Sequence, residues 1–218
     1  MKILLTLQIK VLYMKTKNYH DDLSHIRSMM ERSSRFISLS GLSGVFAGTT
    51  ALAGAVYVYF ILKREGINYF EGKANTFSPE LIRELFIVGL TILIVAVFFG
   101  YFFTSRKSKA HQLKIWDSTT KRMLLNFLVP LVAGGIFCLA LFYHQLFVLV
   151  APATLIFYGL ALVNASKYTL TDVQNLGYFE IALGLLSLFF VGWGLVLWAF
   201  GFGILHIVYG LIMHKKYK

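Results

Sequence analysis

Uncharged stretches set the plan of this chain. Residues 36–62 and 85–105 carry no charged side chain, and each is long enough to cross roughly 30 Å of hydrocarbon at about 1.5 Å per residue. Residues 123–166 also lack a formal charge. As one helix they would measure roughly 66 Å, about twice the membrane, so the chain is expected to fold back. The fold-back falls at His144-Gln145, the only adjacent polar pair there, leaving arms at 124–143 and 146–165. Of Asp, Glu, His, Lys and Arg, residues 173–213 hold only Glu180 and His206. They turn at Gly192-Trp193-Gly194, where two glycines flank an interfacial aromatic.

This pattern predicts an all-α polytopic membrane helix bundle. Its six transmembrane helices, at 36–62, 82–105, 124–143, 146–165, 176–192 and 194–213, form three antiparallel hairpins within a membrane domain at 36–214. A five-span alternative makes residues 181–205 one long helix. Before the first span, residues 1–13 hold an apolar patch broken by Gln8 and Lys10, too short to cross, while Met14 opens a more ordinary start. Residues 1–17 are therefore expected to be an over-extended gene start or a disordered leader. In 18–35, Asp21 and Asp22 cap a helix whose Leu23, Ile26 and Met30, with Ile37 beyond, fall on one stripe. That spacing predicts a cytoplasmic interfacial amphipathic helix. Residues 215–218 form a basic tail.

Composition agrees: 57% of residues are hydrophobic and 14% charged, against about 45–50% and about 25% in soluble domains. A single cysteine, Cys138, excludes a disulfide-stapled fold. The net charge of +11 is informative only through its distribution. Of 21 Lys and Arg residues, 17 precede the first span, lie in 106–122, stand at Lys167 or follow the last span. The positive-inside rule then puts both termini in the cytoplasm. The same charges suit anionic lipid headgroups at the cytoplasmic face. Nucleic-acid binding would need a recognised fold or several stacking aromatics, and the basic loops, with only Trp116 in 106–122, offer neither.

Small residues mark packing faces. Gly41, Gly44, Gly48, Ala51 and Ala55 recur at intervals of three and four along the first span, letting another backbone approach closely. Gly201, Gly203 and Gly210 do the same on the last span. The first stripe fits a neighbouring span of this chain, with a homodimer seam as the alternative. Pro130 and Pro152 are expected to kink the spans that hold them.

Glu180 and His206 carry the candidate chemistry. Each lies 13 residues from Trp193, so antiparallel helices place them at equal depth, nearer the cytoplasmic face. A carboxylate in hydrocarbon must find a partner or stay protonated. One reading is a polar site that handles a proton or cation, or binds or moves a small solute or lipid, as a transporter would, with Tyr178, Tyr209 and Asn164 adding oxygen ligands. The other is a structural or regulatory module whose Glu/His pair is a packing clasp. No HExxH, CxxC, P-loop or GxSxG pattern is present, so neither an enzyme nor a metal or cofactor site is expected.

Two stretches, Ile26-Arg-Ser-Met-Met-Glu-Arg-Ser-Ser-Arg-Phe-Ile-Ser-Leu-Ser-Gly-Leu-Ser-Gly44 and Trp198-Ala-Phe-Gly-Phe-Gly-Ile-Leu-His-Ile-Val-Tyr-Gly210, resemble an uncharacterised family of small six-span bacterial inner-membrane proteins. The likeness runs from about Asn18 and implies a bacterial cytoplasmic membrane and six spans; it supplies no activity.

Overall fold

The computed structural model describes residues 26, 40–67, 77–110 and 116–217. The helices are α1 (Gly41–Arg64), α2 (Pro79–Ala110), α3 (Ser118–Tyr143), α4 (Phe147–Tyr168, with a 3-10 turn at each end), α5 (Thr171–Phe189) and α6 (Gly194–Lys216). No strand occurs among the described residues. The expected leader at 1–17 and interfacial helix at 18–35 lie outside the described residues, Ile26 apart. Five helices, α1 to α4 and α6, are long and apolar enough to cross a membrane, which marks the chain as a membrane protein. The sequence reading counts α5 as a span too. It has 19 residues but is not among the five; its first turns carry Asp172, Gln174 and Asn175.

Local chemistry fixes the helix ends. Ser78 Oγ accepts the Leu81 amide at 3.2 Å just before Pro79, whose missing N–H is harmless in a first turn. Asp117 caps α3 by accepting the Thr120 amide at 2.7 Å, and hydrogen bonding from Thr120 holds its carboxyl below the usual carboxylate range. At the end of α3, Gln145 takes a left-handed φ of 60°. The Leu146 amide there reaches back to Leu141 O at 2.8 Å, which stops the helix. The helix break falls at the position the sequence predicts. Helix α5 stops at Phe189, a 3-10 turn covers Val191–Trp193, and α6 starts at Gly194. Residues 181–205 are therefore not one helix.

The inner part of the bundle is held by close backbone contacts. On α1, a Cβ added to Gly48 would lie 2.6 Å from Gly203 O of α6, and one added to Gly210 would lie 2.7 Å from Gly41 O. Between α4 and α5, Gly159 and Gly177 face each other's carbonyls in the same way, at 2.6 and 2.8 Å. Such approaches maximise van der Waals contact where hydrocarbon gives no hydrophobic drive.

Pro130 links α3 to α4. A proline leaves the carbonyl four residues before it without an amide partner, and here that carbonyl, Asn126 O, accepts from Asn164 Nδ2 at 3.2 Å. Pro152 stands in the opening turns of α4, where its missing amide costs little. Helix α2 packs against α1, through Ile92 on Gly54 and Phe46 stacked on Phe99 and Phe103. At one end of the bundle Arg64 pairs with Glu84 at 2.6 Å and Phe77 stacks on Phe147. At the other, Lys216 and Tyr217 both bond Asp172, and Lys107 donates to Tyr217 O at 2.8 Å.

Candidate polar site

Side chains from three helices meet at the His206 imidazole. Glu180 on α5 is fully buried and His206 on α6 is 6% exposed; His206 Nδ1 lies 3.3 Å from Glu180 Oε1. Tyr158 on α4 completes the group, with its hydroxyl 2.9 Å from His206 Nε2. The Gly201 carbonyl lies 3.0 Å from His206 Nδ1.

A local departure from the α-helix creates this geometry. Residues Ala199–Leu205 of α6 form a π segment, where hydrogen bonds reach from i to i+5. Gly201 and His206 are five apart, so the wider turn sets the glycine carbonyl beneath the imidazole. Gly201 also has no side chain to hold Glu180 away: a Cβ there would lie 2.5 Å from Glu180 Oε2 and 2.7 Å from Leu155 Cδ2. Leu155 is itself fully buried. The Phe202 ring stacks on the imidazole at 5.7 Å, Tyr158 lies 4.9 Å from Phe202, and Trp198 lies 5.0 Å from it. Trp198 Nε1 donates to Thr154 Oγ1 at 3.1 Å, tying α6 to α4 one layer further along.

The other expected oxygen ligands are elsewhere. Tyr178 is 52% exposed and accepts from Gln174; two residues from Glu180, it occupies nearly the opposite side of α5. Tyr209 packs with Leu162, Leu170, Val173, Leu176 and Met213. Asn164 bonds Asn126 O and Lys167. The stripe of Gly41, Gly44, Gly48, Ala51 and Ala55 turns inward, and its glycines meet Gly203, His206 and Gly210 of the same chain. Gly201 faces the opposite way from Gly203, toward Glu180 rather than toward Leu52 of α1.

Tyr158 and the Gly201 carbonyl are the site members that the sequence reading does not name. Helix α4 is apolar on every side, so periodicity gives it no orientation. One signal was there: Tyr158 is the only tyrosine in residues 146–165. Among the described residues no group of three or more His, Cys, Asp or Glu gathers to hold a metal ion.

No protein-family model matches this chain, and no match was found among curated proteins or solved structures.

Proposed function

We propose that this is a six-span membrane protein whose Glu180–His206–Tyr158 site binds or moves a small cation. The observation that carries the reading is a carboxylate with no exposed surface, set beside a histidine and away from either charged end of the bundle. Ionisable groups so placed are expensive to bury and mark ion or proton pathways in membrane bundles. Tight packing around Gly201 argues against the broader options of a lipid or an organic solute.

The reading takes α5 as the sixth span, in three hairpins with both termini cytoplasmic. Support comes from contact order: Phe142 meets Phe147 while Asn126 meets Asn164, and Gly41 meets Gly210 while Leu52 meets Gly203. Lys107, Lys121, Arg122, Lys167 and Lys216 stand at the helix ends grouped with Asp172 and Tyr217, as the positive-inside rule requires of a cytoplasmic face. That face suits anionic headgroups, and the sequence resemblance favours a bacterial inner membrane. Single cysteines placed at Gln145 and Lys167 in a Cys138→Ala background test the threading. An impermeant maleimide should label them from opposite sides of the membrane.

A second reading, the packing clasp, is favoured by the way the site ties α4, α5 and α6 together. Purified Glu180→Gln and His206→Ala proteins separate the two. Unchanged cation flux in vesicles with a lowered melting temperature would leave only the clasp. Normal folding with lost flux would leave only the cation site.

A further inference from the structure

The hydrogen-bonding options of His206 are few enough to resolve. A backbone carbonyl only accepts, so Nδ1, 3.0 Å from Gly201 O, carries a hydrogen. Nε2 is then an acceptor for the Tyr158 hydroxyl at 2.9 Å. This satisfies a neutral imidazole completely and leaves both Glu180 oxygens without a hydrogen bond of their own. A bare carboxylate in that place would be a full negative charge with no solvent contact, which is costly. One added hydrogen ion neutralises it. Little room is left around Oε2, which is pressed against Gly201 where Leu155 fills the same point.

We infer that the Glu180–His206–Tyr158 array is a binding site for a single proton, taken up at the Tyr158 edge and stored on the Glu180 carboxyl. This rests on the cation reading above and narrows the cation to hydrogen ion. In the loading step a hydronium ion gives its proton to the Tyr158 oxygen and leaves as water, while the original Tyr158 O–H bond breaks and its hydrogen passes to Nε2. The Nδ1–H bond breaks as an Oε1–H bond forms, and the Gly201 carbonyl gives up its donor, so the site gains one hydrogen and one positive charge. Tyr158 changes from donor to acceptor as this happens, and unloading is the reverse.

Other titratable groups near the array are few. Helix α4 contributes Tyr158, and α1 has no titratable side chain from Gly41 to Val56, where it meets α6. On α5 the nearest acid is Asp172, two turns away and bonded to Lys216 and Tyr217. Tyr209, one turn beyond His206 on α6, packs into the cluster around Leu176. From α3, Phe127 packs on Tyr158.

The test is an infrared difference titration of the full chain in lipid bilayers across about pH 4 to 9, the range that spans ordinary carboxyl and imidazole groups, with nitrogen NMR of labelled histidine. The expected result is a protonated-carboxyl band that fades as pH rises, shifts in deuterated water and is missing from Glu180→Gln. In Tyr158→Phe, which keeps the ring, the band should titrate with a displaced midpoint. In the parent protein at high pH, His206 should carry hydrogen on Nδ1 and none on Nε2. If no Glu180-dependent band titrates, or the high-pH hydrogen sits on Nε2, the inference is overturned; the nitrogen measurement stands even if Glu180→Gln fails to fold. Sodium or potassium flux into vesicles without a titrating band would sink the proton site and keep the cation reading. A titrating band without flux of any cation would keep the proton site and sink the transport part of that reading.

Discussion

Helices α2 and α4 are both apolar enough to span a membrane, yet they behave in opposite ways. Helix α2 is the more apolar, but none of its most apolar stretch is buried; only Leu81 and Ser108, near its two ends, are. Helix α4 buries Pro152, Ala153, Leu155, Gly159, Ala161, Leu162 and Ala165. The difference is side-chain size. Phe86, Ile87, Leu90, Ile94, Phe98 and Phe102 form an exposed face on α2, whereas Gly159 and the alanines of α4 admit another helix. In lipid, hydropathy chooses which segments enter the membrane, and small residues choose which of them become the centre.

Substitutions in the two regions should therefore differ in size and even in sign. The largest effect is expected from His206→Ala. It leaves the Tyr158 hydroxyl and the Gly201 carbonyl without their imidazole partner, at about 1–3 kcal/mol for each unsatisfied buried group, and reversible unfolding in micelles would measure the sum. Next comes Gly48→Ala, whose new methyl meets the Gly203 carbonyl at 2.6 Å; overpacking of this kind costs about 1–3 kcal/mol. Asp117→Ala on α3 should cost about 1 kcal/mol through the lost cap. Because the folded-state pKa of Asp117 is held below its unfolded value, that contribution is complete above the ordinary carboxylate range. It fades as pH drops through the lower folded value. Parent and variant unfolding curves should therefore converge in acid and separate near neutrality. Smallest is Gly89→Ala on α2, where a Cβ meets nothing within 4 Å; better helix propensity should make it stabilising by about 0.5–1 kcal/mol at most. A loss at Gly89 as large as that at Gly48 would mean that α2 has a partner on its exposed face.

The sequence carried some of this plainly. The helix break at His144-Gln145 was legible because a long uncharged run has to break where its polar residues are. Spacing of three and four residues disclosed the inward face of α1, since small side chains leave a helical trace whatever they pack against. Equal distances from Trp193 disclosed the meeting of Glu180 with His206. Tyr158 escaped because α4 has no polar face to orient it. Asn164 was misleading for a different reason: its amide serves a carbonyl that Pro130 leaves open on α3, a need that appears only when the two helices lie side by side. The π segment has no pattern that periodicity could reveal, for it is a change in the period itself.

That segment couples two regions that are otherwise separate. A π turn accommodates an extra residue in the winding of α6, so everything after Leu205 stands in a shifted phase. Winding Ala199–Leu205 as a plain α-helix with every residue kept would swing the final turns by about 100° and push them on by about 1.5 Å. His206 would leave Glu180, and Gly210 would leave Gly41, in the same movement. The polar site and the α1 seam therefore share one phase setting, and neither can be repositioned along α6 without dislocating the other.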